Sequence, residues 1–247
     1  MKKISPPTNI PERPIFSAFE MEEPWRVPNY RRNLPHLRIQ GATYFVTFRL
    51  ADSIPEIIAK RWQRERHHWL ESRGVDPKLV QSDLNRWYKD YFAIPYLERC
   101  DFEREQKRQF LVELDNCHGS CMLEFTHSIV AKAMDFFHGK RIWCGDYVVM
   151  PNHVHVLVQP FPGVLLEEWL YSIKRFTGSE ICKNALLKTN IMMRQGHLWQ
   201  TESFDRIVRN SKELIRIRQY IANNPAKLRS GTFSLKQMEW LDEFASK

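Results

Sequence analysis

The sequence lacks the features that mark secreted and membrane-spanning proteins. Its five cysteines show no paired spacing, so they do not form the disulfide framework of a small secreted protein. No run of about 18 clean apolar residues is present. The nearest candidate, residues 147–166, has no formal charge but contains His153, His155 and three prolines. The N-terminal lysines precede no apolar segment, which argues against a secretory signal. We therefore expect a soluble cytoplasmic protein that does not cross a membrane.

The sequence also lacks the G-x-x-x-x-G-K-[ST] pattern of phosphate-binding loops. Its hydrophobic content of 43% is sufficient for a folded core and excludes a wholly disordered chain. A length of 247 residues favours one large domain, or one domain with a sizeable insertion.

The positive charge is concentrated in one part of the chain. The formal net charge is +8, and residues 174–229 alone contain 12 basic and 4 acidic residues, so the remainder of the chain is neutral. A local basic excess is typical of a protein that binds a polyanion, with nucleic acid as the first candidate. The alternative is an ordinary solvated helix face.

Composition and periodicity divide the chain into segments. Residues 1–38 hold seven of the 14 prolines and several arginines, which predicts an extended basic arm. The segment TYFVTFRL, residues 43–50, is β-rich, and a charged helical stretch follows from about 54 to 110. Further along come a helix over 123–139, two β-rich runs separated by Pro151-Asn152, a helix over 165–187, a strand over 203–210 and a helix from Ser211 to Asn223 or Asn224.

Without the helical stretch, the order begins β-α-β-β-α-β, which is the ferredoxin-like arrangement. We therefore predict an α+β fold, a ferredoxin-like antiparallel sheet with helices on one face, plus a helical insertion after the first strand. The expected domain organisation is an arm over 1–38, a main domain over 39–230 with the insertion at about 54–110, and a C-terminal tail over 231–247.

Two histidines share one face of a predicted strand. His153 and His155 flank Val154, and because side chains alternate along a strand, both imidazoles project to the same side, about 6.5–7 Å apart along the strand. Two neutral imidazoles on one face can hold a divalent metal ion. The alternative is a pair of histidines that serve only in hydrogen bonds on a sheet face.

A tyrosine and an asparagine lie near the end of the last predicted helix. Tyr220 and Asn224 are four residues apart, so they can point to one spot, and Pro225 stops the helix there. A phenol beside a metal-held phosphate can act as a nucleophile. The alternative for Tyr220 is a helix tyrosine that packs on the sheet.

Three motifs in this order, PNHVHVLVQP, LWQTESFDRIVRN and RQYIANNPAKL, resemble those of the single-tyrosine HUH transposases. They are most similar to the REP-associated tyrosine transposases of bacteria. The resemblance covers most of residues 44–228. It implies a metal centre with Mg²⁺ or Mn²⁺ bound by His153, His155 and Asn224, and Tyr220 as the nucleophile. Asn223 competes with Asn224 as the third ligand, since it also lies near Tyr220 on the helix.

The same resemblance implies an endonuclease and transposase that cleaves and rejoins single-stranded DNA through a 5′-phosphotyrosine intermediate. A hairpin-forming palindromic repeat is the implied substrate, and the protein is expected to act as a monomer or homodimer. One alternative is a catalytically silent nucleic-acid-binding protein of the same fold. Another is a metal-dependent hydrolase that uses an activated water in place of the tyrosine.

The remaining candidates are DNA-binding residues. Lys174 and Arg175 follow the histidine strand on a predicted helix, and Arg206 and Arg209 precede the tyrosine helix, so all four are expected to contact phosphates. Trp199 and Gln200 are expected to stack on and hydrogen-bond an unpaired base, although a tryptophan that covers the core is an equally good interpretation of Trp199.

Overall fold

The computed structural model describes residues 15–16, 29–31, 35–39, 41–183, 197–239 and 241–242. The chain divides into two compact units. The first comprises Met1–Ser53 and Ser120–Lys247, and the second is Ile54–Gly119. Within the described residues no helix has both the length and the apolar character needed to cross a membrane.

The first unit contains all nine strands found in the described residues. They are β1 (Ile15–Phe16), β2 (Asn29–Arg31), β3 (Pro35–Leu37), β4 (Tyr44–Arg49), β5 (Ile142–Val149), β6 (His153–Pro160), β7 (Phe204–Ile207), β8 (Ser234–Lys236) and β9 (Leu241–Asp242). Its helices are α5 (Leu123–Phe137), α6 (Leu166–Lys183) and α7 (Ser211–Asn223), followed by a 3-10 turn over Asn224–Lys227. The second unit consists of α1 (Glu56–Glu71), α2 (Leu79–Ser82), α3 (Leu84–Ala93) and α4 (Tyr96–Asp115).

Five strands of the first unit form one antiparallel sheet. Its order is β7-β4-β6-β5-β8, with every neighbouring pair antiparallel. The predicted β-α-β-β-α-β unit corresponds to β4, α5, β5, β6, α6 and β7, and the two central strands are β4 and β6. The α+β fold class with an antiparallel sheet is therefore confirmed.

One face of this sheet packs against α5 and α6. Alternate residues of the strands, such as Val46, Val154 and Val156, enter a core with apolar residues of the two helices. Among the latter, Val130 and Trp169 are fully buried. This is the face on which helices were predicted.

The opposite face packs against α7, an arrangement that the prediction of helices on one face did not include. Leu214, Ile217 and Ile221 of α7 form a second core with Phe45 and Leu157 of the central strands. The reason is that α7 is amphipathic and must bury its apolar side. The residues at odd positions of β6, including both histidines, therefore lie beneath a helix.

The N-terminus of α7 is fixed by a pair of reciprocal hydrogen bonds. The Asn210 side chain accepts a hydrogen bond from the backbone N–H of Glu213 at 2.9 Å. The Glu213 carboxylate accepts one from the backbone N–H of Arg209 at 2.8 Å. The first bond satisfies an N–H group of the first helical turn, as in a capping box, and the second satisfies the N–H of Arg209, the residue before the N-cap Asn210. Because both ends of α7 are defined, by this cap and by Pro225, the position of Tyr220 along the helix is defined too.

The second unit has a small core of its own. Leu70, Val75, Trp87, Tyr91 and Ile94 form an apolar cluster, in which the rings of Trp87 and Tyr91 stack 4.7 Å apart. The unit begins where the insertion was predicted to begin and extends further, to Gly119.

Both ends of the chain contain short strands, which the predicted extended arm and C-terminal tail did not include. Ser234–Lys236, in the expected tail over 231–247, forms the edge strand β8 beside β5. In the expected arm, β1 pairs with β9. Phe16 of β1 is fully buried in the core under α7. These strands are short, and their few apolar residues stand among prolines and polar residues. The sequence therefore contains no periodicity from which their pairing could be predicted.

Candidate active site

The two histidines of β6 converge through their outer nitrogens. The Nε2 atoms of His153 and His155 lie 3.0 Å apart, and the ring centroids are separated by 4.5 Å. Both side chains are completely buried. The rings thus tilt toward each other from strand positions that are about 6.5–7 Å apart.

Each imidazole is oriented through its other nitrogen. Nδ1 of His153 lies 2.7 Å from Oδ1 of Asn152, and Nδ1 of His155 lies 2.8 Å from Oγ1 of Thr47. The carboxamide oxygen only accepts, so Nδ1 of His153 donates, which leaves the lone pair on its Nε2. Such partners fix the tautomer and orientation of metal-binding histidines.

The protonation state of the pair suits ligation. Burial lowers the pKa of His153 to about 3. The pKa of His155 is also well below its ordinary value, because of burial and then the neighbouring charge of His153. Both rings are therefore neutral near pH 7, as metal ligands must be.

Tyr220 of α7 reaches the same spot. Its hydroxyl lies 3.1 Å from Nε2 of His155, and the two rings meet at an angle of 62°. Phe45 of β4 stacks on His155 and contacts the Tyr220 ring edge-on. The apolar contacts of Phe45 thus hold the phenol and the imidazole against each other. Three of the predicted residues, His153, His155 and Tyr220, are brought together.

The spacing of the imidazoles fits a divalent ion. Two ligands at right angles on an octahedral ion, each about 2.1 Å from it, are about 3.0 Å apart. The two Nε2 atoms lie at this distance. Two nitrogen lone pairs this close repel unless a proton or a cation lies between them, and imidazole is a good ligand for several divalent metals.

The two candidate asparagines occupy different surroundings. Asn224 is half-buried and begins the 3-10 turn, one helical turn after Tyr220. Asn223 is exposed and lines a shallow depression on α7 with Ile215, Gln219 and Ala222. Asn224 is therefore the better placed of the two for a role beside Tyr220.

Two arginines lie on the site face of the sheet. Arg49 is directly opposite His153 across β4 and β6, and its guanidinium donates to Leu50 O and to Ser53 Oγ. Burial lowers the pKa of Arg49 to about 10. Arg206 of β7 is directly opposite Phe45, lies over the Phe45 ring and forms an ion pair with Glu213.

The other predicted DNA-binding residues lie elsewhere. Lys174 and Arg175 are on α6, which packs on the opposite face of the sheet, and Arg209 is exposed between β7 and α7. Lys174 donates to the backbone oxygens of Gln200 and Thr201. With Gln200, Lys174 and Arg175 line a cleft of about 680 Å³, whose charged residues also include Arg38, Glu167, Glu202 and Asp205. The predicted basic residues thus do not form one patch.

Trp199 is mainly a core residue. Only 6% of its surface is exposed, its ring packs edge-on against Phe48, and its indole N–H donates to Thr177 at 2.9 Å. A base could stack only on an open ring face, so this burial favours the alternative interpretation, a tryptophan that covers the core, over a stacking platform.

Sequence reasoning missed Thr47, Asn152, Phe45 and Arg49. Asn152 stands directly before His153, which is a usable signal. The other three are on β4, and their proximity to the histidines depends on the register of β4 with β6. No spacing within one segment encodes that register.

Comparisons with known proteins found similarity to a family model and to a solved structure. Residues 123–224 match the family model described as "Transposase IS200 like". No curated protein matches the chain. One solved structure with similarity to this chain is described as "Structure of the REP associates tyrosine transposase bound to a REP hairpin". Its sequence identity is 16% and its TM-score 0.37, and the match covers 80% of this chain and 72% of that chain.

The segment that matches the family begins with α5 and ends at Asn224, so it contains His153, His155 and Tyr220. Residues 123–224 are therefore similar to the IS200-like transposases, and the resemblance that the motifs indicated is confirmed over this segment.

Proposed function

We propose that the chain is a metal-dependent transesterase that cuts and rejoins single-stranded DNA through a covalent bond to Tyr220. One observation carries the proposal. The Tyr220 hydroxyl lies 3.1 Å from Nε2 of His155, which in turn is 3.0 Å from Nε2 of His153. A nucleophilic oxygen beside two converging ligand nitrogens is what transfer of a phosphoryl group to a side chain requires.

His153, His155 and Asn224 are the proposed ligands of Mg²⁺ or Mn²⁺. When bound, the ion supplies Lewis-acid stabilisation of the charge that develops on the phosphoryl oxygens. The protein provides the orientation. Asn152 and Thr47 hold the two imidazoles from behind, and Phe45 packs against both His155 and Tyr220.

In the proposed reaction, the Tyr220 oxygen attacks the phosphorus of the scissile phosphodiester. The bond from this oxygen to phosphorus forms as the bond to the 3′ oxygen breaks. The phenol loses its proton, and the departing 3′ oxygen gains one. The product is a 5′-phosphotyrosine and a free 3′ hydroxyl, and rejoining is the reverse step. Because the covalent bond conserves the energy of the phosphodiester, no nucleotide hydrolysis is needed.

The resemblance to REP-associated tyrosine transposases supports a strand that forms a hairpin as the substrate. The positions of Arg49 and Arg206 support contacts to its phosphates near the reacting group, because both lie on the face that carries the histidines. Arginine suits this role, since its guanidinium binds phosphate oxygens in a bidentate way.

The test is covalent capture of DNA. The protein is incubated with a labelled single-stranded hairpin oligonucleotide and Mn²⁺, and the products are separated after denaturation. We expect a labelled protein adduct with the parent protein and none with Tyr220→Phe, which lacks only the nucleophilic oxygen. Hairpin binding by Tyr220→Phe should stay within about twofold, because the ring and its packing remain. Tyr147→Phe, in the core on the other face of the sheet, is the matched control and should form the adduct.

Three results would count against the proposal. An adduct with Tyr220→Phe would place the nucleophile elsewhere. Full cleavage in excess EDTA would refute the metal requirement. Cleavage to a free 5′ phosphate without any adduct would favour the metal-dependent hydrolase. Hairpin binding with no cleavage under any divalent metal would favour the catalytically silent binding protein.

A further inference from the structure

A buried carboxylate on the neighbouring strand contacts the tyrosine helix. Asp146 of β5 has no exposed surface, and its Oδ2 accepts a hydrogen bond from Nε of Arg218 at 2.8 Å. Its Oδ1 accepts one from the backbone N–H of Met238, and Arg218 also donates to Met238 O at 2.7 Å. Asp146 and Arg218 thus join β5, α7 and the segment after β8.

The position of Asp146 depends on an irregularity of β5. The register with β6 shifts between Cys144 and Tyr147, which places an additional residue in this stretch of β5. Bulges of this kind redirect a side chain and are frequent beside active sites. Here, the bulge directs the Asp146 carboxylate toward α7, whereas Cys144 and Tyr147 enter the core on the other face.

Arg218 and Tyr220 project from opposite flanks of α7. Leu214, Ile217 and Ile221 form the apolar ridge that packs on the sheet. With 3.6 residues per turn, Arg218 and Tyr220 lie about 160° apart around the axis, one on each side of this ridge. Arg218 reaches β5 on its side, and Tyr220 reaches His155 of β6 on the other.

We propose that the ion pair between Asp146 and Arg218 sets the rotation of α7 about its axis and thereby positions the Tyr220 hydroxyl. Apolar contacts alone fix this rotation poorly, because a ridge of aliphatic side chains can roll on a sheet with little change in buried area. A charged pair with a backbone bond to Met238 has one favourable geometry. This inference rests on the proposed function, because it takes Tyr220 as the nucleophile.

A small roll of the helix has a large effect at the hydroxyl. The Tyr220 oxygen is roughly 9 Å from the axis of α7, so a roll of about 10° displaces it by about 1.5 Å. A misplacement of about 1 Å can lower a rate about 100-fold. Asp146 and Arg218 are therefore positioning residues, which act on the reaction through Tyr220.

The test separates the rate of adduct formation from the binding of DNA. In Asp146→Asn and Arg218→Gln, we expect the first-order rate constant of adduct formation at saturating hairpin DNA to fall about 10- to 100-fold. The dissociation constant of the hairpin should change by less than about twofold, since the binding surface is unchanged. Arg141→Gln is the matched control. It removes an arginine that pairs with Glu168 of α6 and should react at the parent rate.

Chemical rescue provides a second measurement in a single protein sample. Arg218 is partly exposed, so a guanidinium ion can enter the space left in Arg218→Ala. Millimolar guanidinium, far below denaturing concentrations, should raise the adduct rate of this variant at least about fivefold and leave Arg141→Ala unchanged. The comparison is made on one variant with and without the ion, so it does not depend on whether Asp146→Asn folds.

Several outcomes would overturn the inference. Parent rates in Asp146→Asn and Arg218→Gln would do so, as would a loss of hairpin binding by the same factor as the loss of rate. A slow Arg218→Ala that guanidinium does not restore would assign the defect to packing. None of these results would affect the proposed function, which fails instead if the parent protein forms no adduct.

Discussion

Thr47 Oγ1 lies 2.8 Å from Nδ1 of His155, directly opposite it across the two central strands of the sheet. This contact holds the imidazole from behind, so that Nε2 faces both His153 and Tyr220. The sheet thus places a proposed metal ligand and the group that orients it on adjacent strands, where their separation is set by backbone hydrogen bonds.

Removal of the Thr47 hydroxyl should weaken metal binding. Thr47→Val keeps the shape of the side chain but leaves Nδ1 of His155 without this partner. We expect the dissociation constant for Mn²⁺ to rise about 10- to 100-fold, the usual effect of losing a group that orients a ligand. Titration calorimetry measures it. Thr126→Val is the control, because Thr126 is also buried but its hydroxyl donates to Met122 O, at the start of α5 and away from the histidines. Equal effects of the two variants would contradict the orienting role.

The metal-free protein should lose stability in mild acid. Burial lowers the pKa of His153 to about 3, and that of His155 is also well below its ordinary value. Below about pH 6.5 the unfolded chain binds protons at these positions, whereas the folded chain does not. The free energy of unfolding should therefore be complete above about pH 6.5 and decrease toward pH 3, by up to about 1.4 kcal/mol per pH unit for each histidine.

Urea unfolding in EDTA over this pH range measures the effect. His153→Gln should show a shallower decrease, because one buried imidazole is gone. His67→Gln, at an exposed position of α1, should keep the slope of the parent protein. A parent-like slope in His153→Gln would mean that this imidazole is not the source of the pH dependence.

The proposed third metal ligand can be tested by comparing the two asparagines. Asn224→Ala should weaken Mn²⁺ binding and slow adduct formation, each about 10-fold or more. Asn223→Ala should change neither by more than about twofold, because Asn223 is exposed on the outer side of α7. The reverse result would assign the ligand to Asn223.

The basic residues should determine how strongly salt weakens DNA binding. Each phosphate contact on a single strand contributes about −0.7 to the slope of log K against log salt, so losing four contacts would reduce the slope by roughly 3, and losing only the contact of Arg206, on the face of the site, would reduce it by about 0.7. The test variant neutralises Lys174, Arg175, Arg206 and Arg209 to glutamine. The control variant neutralises the same number of charges on the second unit, at Arg61, Arg64, Arg66 and Arg73.

The control should have a much smaller effect, since acidic neighbours offset its charges, as Glu65 does for Arg61 and Glu98 for Arg73. Equal reductions in slope would indicate a general effect of net charge. A larger reduction in the control would make the second unit the DNA-binding element.

The sequence was sufficient for features that one segment encodes. Alternation along β6 predicted that His153 and His155 share a face, which their contact confirms, whereas the placement of Asn224 beside Tyr220 stays a prediction. It was insufficient where two distant segments meet. The pairing of Thr47 with His155 depends on strand register, and the approach of Arg218 to Asp146 depends on a bulge. Trp199 illustrates a further limit of the sequence. Its residue type is the same whether the indole is buried in a core or exposed for stacking on a base.

The alternation of β6 also determines which mutations the chain can tolerate. His153 and His155 face α7, whereas Val154, Val156 and Val158 enter the core beneath α5 and α6. A residue inserted just before His153, and not absorbed as a bulge as the additional residue of β5 is, would shift the register by one and exchange the two sets, sending imidazoles into the main core and valines toward Tyr220. Such an insertion would destroy the fold together with the chemistry. We therefore expect homologues that have lost the proposed activity to carry substitutions in β6 and not changes in its length. Such homologues would still preserve the spacing of the two histidine positions.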